Sequence, residues 1–198
     1  PQSTVTVNGA RMETDDTSLP DFNVKYTHKT DWGHISVAGL VRQLTYKTAS
    51  YDADQSAYGI SVSGRLNMGK NNVKFMLNQG AGLGRYVGLN IAHGGVLTEG
   101  NNIDTIDSTS GFAAYQHHWS DQFRSTLMYS FIDIDNDPDL LNLTGNPTKS
   151  SMSYSANLLY SPEKKLTFGI ELKHAQREVE NGVDGDMNRL QFSAKYAF

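Results

Sequence analysis

The last ten residues of the chain alternate: Leu190, Phe192, Ala194, Tyr196 and Phe198 hold one set of positions, and Arg189, Gln191, Ser193 and Lys195 hold the other. A period of two is the mark of extended chain with one apolar and one polar face. The pattern recurs along the sequence. Phe22, Val24 and Tyr26 oppose Asn23, Lys25 and Thr27, and Tyr58, Ile60 and Val62 oppose Ser61, Ser63 and Arg65. In the second half, Leu127, Tyr129 and Phe131 oppose Arg124, Thr126 and Ser130, Leu158 and Tyr160 oppose Asn157, and Phe168, Ile170 and Leu172 oppose Thr167, Glu171 and Lys173. Two stretches are weaker: the faces of 34–42 are less distinct, and STVTVNG near the start alternates only faintly. About ten strands are predicted, joined mostly to their sequence neighbours as antiparallel hairpins. No helix of useful length is predicted.

The connections alternate in length. Short turns are predicted at 30–33, 69–72, 119–122 and 161–165, and longer polar segments at 47–56, 84–108, 135–149 and 178–187. Short turns on one side and long loops on the other is the layout of a transmembrane β-barrel of the bacterial outer membrane. Trp32, Trp119, Tyr160 and Phe198 lie beside the short turns, as an aromatic girdle at one membrane interface would. A terminal apolar strand ending on Phe198 points the same way, because a frayed apolar end is an aggregation hazard in a soluble protein. The fold class read from these features is all-β, an antiparallel transmembrane barrel forming a single domain over 1–198. The Gly- and Asn-rich segment 84–108 is expected to fold inward over a pore.

Composition alone suggests a soluble protein, with mean hydropathy −0.48 and 38% hydrophobic residues. That average misleads for a barrel whose lipid-facing and lumen-facing residues alternate. There is no cysteine, which excludes disulfides and thiolate metal sites, and the formal net charge of −4 argues against nucleic acid. The chain opens at Pro1 without Met or signal peptide, read as a processed precursor or a piece of a longer protein.

The signs of charge are placed differently. Most acids, among them Asp15, Asp16, Asp52, Asp54, Asp107, Asp133, Asp135, Asp184 and Asp186, are assigned to loops. The basic residues Lys25, Arg42, Arg65, Lys74, Arg124, Lys173, Arg189 and Lys195 fall on polar strand faces, where Glu171 is the clearest acid. If that face is a lumen, it is basic within an acidic molecule, and rings of Arg and Lys select anions. Other chemistry is weakly supported. His117 and His118 are neighbours on a strand and point apart, so they do not share a metal. The run Asp133 to Asp139 spaces carboxylates like the start of a calcium loop but lacks its glycine and distal glutamate; it reads as a solvated acidic loop that divalent ions could bridge to lipopolysaccharide. GAGLG at 80–84 has no following helix to hold a phosphate and marks a close turn or bulge.

Four stretches in order, HISVAGLVRQL at 34–44, AYQHHWSDQFRSTLMYS at 114–130, the LYSP…LTFGIELKHAQRE run from 159 and the closing RLQFSAKYAF, resemble the DcaP-like outer-membrane porins. The resemblance covers essentially the whole chain. It implies a barrel of about sixteen strands, a homotrimer, and diffusion of small anionic solutes such as dicarboxylates. The chain has fewer strands than that, and looks like the C-terminal part of such a porin. Arg42, Arg124 and Arg189 lie in the matching stretches and are carried over as lumen residues. The resulting expectation is a non-enzymatic porin without a cofactor or metal, embedded in the outer membrane against lipopolysaccharide. Two rivals remain: an omptin-like barrel protease, which needs Asp and His pairs at the outer rim, and a soluble ligand-binding barrel.

Overall fold

A computed structural model of the chain describes residues 3–14, 19–48, 52–88 and 91–198; Asp15 and Asp16 lie outside them. Nine long strands form one sheet: β3 (Phe22–Thr30), β4 (Gly33–Lys47), β5 (Asp52–Met68), β6 (Asn71–Ala81), β9 (Asp107–His118), β10 (Phe123–Asp135), β11 (Thr148–Glu163), β12 (Leu166–Val179) and β13 (Asp184–Tyr196). Its order, β3-β4-β5-β6-β9-β10-β11-β12-β13, follows the sequence, and every pairing is antiparallel. The sheet is open: β3 and β13 are its edges. A second sheet, in the order β2-β1-β7-β8, joins the hairpin of β1 (Ser3–Val7) and β2 (Ala10–Thr14) to the short strands β7 (Gly95–Leu97) and β8 (Ile103–Thr105).

The register carries one face across all nine strands, because residues opposite each other in a ladder point the same way. The chain of pairs Arg42–Ala57, Arg65–Lys74, Lys74–Ala114, Met128–Ser155 and Lys173–Arg189 lies on one side. Phe22–Val41–Tyr58, Tyr129–Tyr154 and Ile170–Phe192 lie on the other. The small sheet packs on the first side, which makes that the inward face. The outward side holds Leu158, Phe168, Ile170, Phe192 and Tyr196, all exposed, with half-buried Tyr160. They cover no internal core, as expected for side chains facing lipid.

The apolar stretch of that face has a definite height. On β10 it runs over the alternate positions from Phe123 to Phe131 and gives way to Asp133 and Asp135. At about 3.4 Å per residue, tilted by about 40°, this covers about 20 Å of membrane thickness, close to the roughly 25 Å apolar band of such barrels. Aromatics gather at the short-turn end. Phe123 stacks on Tyr160 at 4.6 Å, His117 meets Trp119 edge-on at 4.3 Å, and Tyr196 meets Phe198 at 5.4 Å. Trp32 and Trp119 are both exposed there.

Three sequence expectations change. The main sheet has nine strands rather than ten, and four shorter ones lie apart from it. Two predicted long loops are short: β12 and β13 are separated only by 180–183, and β4 and β5 only by 48–51. Asp52, Asp54, Asp107, Asp133, Asp135, Asp184 and Asp186 therefore sit on strands, not in loops. Their positions share the outward face of the apolar band, at the long-loop end. The ladder outruns the bilayer there, and hydrated carboxylates suit strand ends that meet water. The third change is a helix, α1 (Pro138–Thr144), within the predicted acidic loop. Pro138 opens it, the Asp137 side chain accepts from the Asp139 amide at 2.7 Å, and Gly145, with φ of +74°, ends it. The Asp133–Asp139 run is thus spent on a strand end and a helix cap.

Leu158→Arg, on the outward face, should destabilise the folded protein by roughly 2–4 kcal/mol if the site lies near the bilayer midplane. Urea titration in lipid vesicles measures it, and an unchanged midpoint would place Leu158 away from lipid. Gly33 has φ of +144°, and a Cβ there would lie 1.9 Å from the Arg65 carbonyl oxygen. Gly33→Ala should therefore destabilise the protein in the same titration by more than about 1 kcal/mol, whereas Gly39→Ala, with open space around it, should cost less.

Candidate functional site

The inward wall divides into two zones. At the long-loop end it is apolar and covered. Leu40, Ile132 and Ile134 of the wall bury Leu83, Val87, Ala92, Val96 and Ile106 of the inward-folded segment, with Leu140 of α1. Beside them Leu44, Ala53 and Ala57 bury Val5 of β1 and Ile103 of β8. This apolar footing explains why the segment between β6 and β9 turns inward: the wall offers it a surface where water is poorly held. Glycines make the entry, with Gly82 and Gly84 at φ of +72° and +44°.

The rest of the wall is polar and open. Asn72 donates to the Gln116 side chain at 3.1 Å, Gln116 donates to Thr126 at 3.5 Å, and the Thr126 amide donates to Asn157 at 3.0 Å. This ladder ties four strands together across the wall. The cations stand around it. Arg65 and Lys74 face each other across β5 and β6 and are exposed, as is Lys195. Arg124 is half-buried and donates to Ser161 at 3.0 Å. Arg189 pairs with Glu171 at 3.1 Å and is half-exposed. Among the paired inward positions of the described strands, Glu171 is the carboxylate.

Between the two zones lies a cavity of about 480 Å³. One side is hydroxyl-rich, with Ser110, Ser130, Ser151 and Ser153, and Lys173 stands at its edge; the other is apolar, with Phe112, Ile132 and Ile91 of the inner segment. A small solute crossing beneath the segment would meet a cation, hydroxyl donors and an apolar surface together.

Of the lumen residues named from sequence, Arg65, Lys74, Arg124, Arg189 and Lys195 share this inward face. Arg42 shares it too, but its side chain is wholly covered and lies 3.6 Å from Asp21. The inner segment sits on top of it, so it does not meet the open lumen. His118 is inward and His117 outward, as their adjacency on a strand requires. No group of three or more metal-binding side chains occurs among the described residues. Lys173, which the sequence also places on the polar face, shares the wall with the other cations. Sequence reasoning passed over Asp21, Arg85 and Tyr86, which meet only through tertiary contact.

No protein-family model and no curated protein matches the chain. Solved structures do. The crystal structure of the outer membrane channel DcaP of Acinetobacter baumannii superposes with a TM-score of 0.82 over 99% of this chain, at 23% identity. The chain has a DcaP-like porin fold. It spans 56% of the length of that channel. The NanC porin also aligns, over 90% of this chain and 93% of its own, with a TM-score of 0.46 and 11% identity. The DcaP-like fold agrees with the two-faced register and the outward apolar band.

One titratable group ties the inner segment together outside the wall. His93 Nδ1 lies 2.5 Å from the Thr6 hydroxyl of β1 and 3.5 Å from Arg11 Nε of β2. Burial, and then the Arg11 charge, push its pKa down to about 4 from an ordinary 6.5. A depressed histidine favours the neutral form when folded, so its contribution is complete above pH 6.5 and is lost as pH falls through about 4. The protection factors at the Val5–Gly95 and Thr6–Val96 pairs, taken relative to the intrinsic exchange rate at each pH, should therefore fall as pH drops between those values. His93→Gln should flatten the dependence.

Proposed function

We propose that the chain forms wall and constriction of an outer-membrane porin that passes small anionic solutes by diffusion through a basic lumen. The observation that carries this reading is the asymmetry of charge: among the described strands of the main sheet, the inward face presents Arg65, Lys74, Arg124, Lys173, Arg189 and Lys195 against the carboxylate Glu171, in a chain of net charge −4. Low-dielectric walls lined by one sign of charge concentrate the opposite ion, and guanidinium forks suit carboxylates. Dicarboxylates fit a lumen with several separated cations. The work is passive, without catalysis or a cofactor.

The free edges of β3 and β13 bear on assembly. Unpaired backbone groups in a bilayer each cost several kcal/mol, so a working pore needs both edges paired, and we infer that further strands complete a single barrel domain. A homotrimer of such barrels is part of the proposal, as is contact of the outward acidic strand ends with lipopolysaccharide. The aromatics Trp32, Trp119, Tyr160 and Phe198 would then mark the periplasmic interface.

In planar bilayers the intact porin should pass chloride more readily than potassium under a salt gradient. Replacing Arg124 and Arg189 by Glu should lower or reverse that preference. The difference should shrink in concentrated salt, because the Debye length falls to about 3 Å at 1 M. Cation preference in the unmodified pore would overturn the anionic solute class and leave the barrel intact.

A further inference from the structure

Three side chains from two parts of the fold converge on one carboxylate. Asp21 stands just before β3, one step past the Phe22–Val41 pair, and its side chain is only 7% exposed. Its Oδ2 lies 3.6 Å from Arg42 Nε on the wall and 3.2 Å from an Arg85 amine nitrogen on the inner segment, and it accepts a short hydrogen bond from the Tyr86 hydroxyl. The guanidinium groups of Arg42 and Arg85 lie over the Tyr86 ring, at 5.4 and 5.2 Å from its centre. Arg42 also reaches the Gly82 carbonyl at 3.4 Å, while its Nε and one amine nitrogen are buried without a hydrogen-bond partner. Two cations thus share one carboxylate, which is covered together with Arg42 while Arg85 and Tyr86 reach solvent. Removing one partner of such a pair is strongly destabilising, because it leaves a buried charge uncompensated.

The place of the cluster matters. Arg85 and Tyr86 belong to a single 3-10 turn, Gly84–Tyr86, at the entry of the inner segment. The turn is bracketed by glycines of positive φ, Gly82, Gly84 and Gly88. Its apolar neighbours Leu83 and Val87 pack on Leu40, but such contacts are non-directional and tolerate sliding. The bonds to Asp21 are directional and fix the turn to one spot on the wall.

We propose that Asp21 is a positioning residue whose carboxylate clamps the 84–86 turn to the barrel wall and so sets how far the inner segment reaches into the pore. The inference rests on reading the inward face as a pore wall. With the clamp made, the constriction has constant dimensions. Without the carboxylate, Arg42 and Arg85 repel each other and the turn moves on its glycines.

The test uses the intact porin with Asp21→Asn, read in two ways. In planar bilayers, transient closures should become roughly ten- to a hundredfold more frequent, since a hydrogen bond to a charged group is worth about one to two factors of ten. Reversal potential should move less than it does when Arg124 and Arg189 are replaced by Glu, because Asp21 and Arg42 are covered. In detergent, amide exchange at Tyr86 and Val87, which bond to the Leu83 and Gly84 carbonyls, should quicken by a similar factor. Asp21→Glu should restore both toward the starting values. Quiet currents and unchanged exchange in Asp21→Asn overturn the clamp. If that variant fails to assemble, Arg85→Gln combined with Tyr86→Phe removes the same contacts from the segment side, and steady behaviour there overturns the clamp equally. If the unmodified protein carries no current, the pore reading fails, while the exchange measurement still decides whether Asp21 holds the turn.

Discussion

Everything in this protein hangs on one antiparallel hydrogen-bond register that runs across nine strands. Because the side-chain period is two, a pair in register shares a face, and the next pair shares the same face again. Arg42, Lys74, Met128 and Arg189 are far apart in sequence yet lie on one side of the sheet, and Val41, Tyr115, Tyr129 and Phe192 lie on the other. A slip of one residue in any strand would put arginines in lipid and aromatics in the lumen. The glycines at close approaches protect this register. A Cβ on Gly80 would lie 2.2 Å from the Tyr58 carbonyl oxygen, and one on Gly33 would strike Arg65.

The wall by itself does not make a narrow pore. Its inward face carries an apolar zone, Leu40, Leu44, Ala53, Ala57, Ile132 and Ile134, at one end only. That zone recruits the segment between β6 and β9, the β1–β2 hairpin and α1. Between them the Leu44, Ile103, Ile106, Leu140, Val5 and Val96 side chains become fully buried. The result is two regions along one wall, a packed one and an open, polar one. The cavity under Ile91, with Lys173 and its serines, lies where they meet.

Charge follows the same division. Cations are inward along the open zone, with Glu171 paired to Arg189 among them; Asp52, Asp54, Asp107, Asp133, Asp135, Asp184 and Asp186 are outward, beyond the apolar band, and other carboxylates take structural roles. Asp137 caps α1, Asp21 holds Arg42 and Arg85, and Glu180 accepts from the buried Asn136 at 2.7 Å. Acids that could have neutralised the lumen are thus employed elsewhere. The basic wall is a consequence of where each strand leaves the membrane as much as of its composition.

The fold class and the two faces were legible in the sequence because alternation is local: Leu190 to Phe198 declares an outward strip without any knowledge of its partners. Connection lengths were only half legible. Asp184 and Asp186 look like loop residues, and only pairing with Glu178 and Gln176 shows that the strands continue past the bilayer. The α1 helix was readable in principle from Asp137 followed by Pro138, but its seven residues are too short to announce a period, and Leu140 in the core secures it. The site divides in the same way. The sequence by itself determined that arginines and lysines would occupy one face, since facing depends only on parity along a strand. Which of them would stand open on that face was decided by tertiary structure. Arg42 and Arg65 have the same parity, the same charge and the same wall, yet one is sealed under a folded-back segment and the other is open. That difference depends on contacts with Asp21, Arg85 and Tyr86, residues more than twenty or forty positions away from Arg42, and no local pattern encodes such contacts.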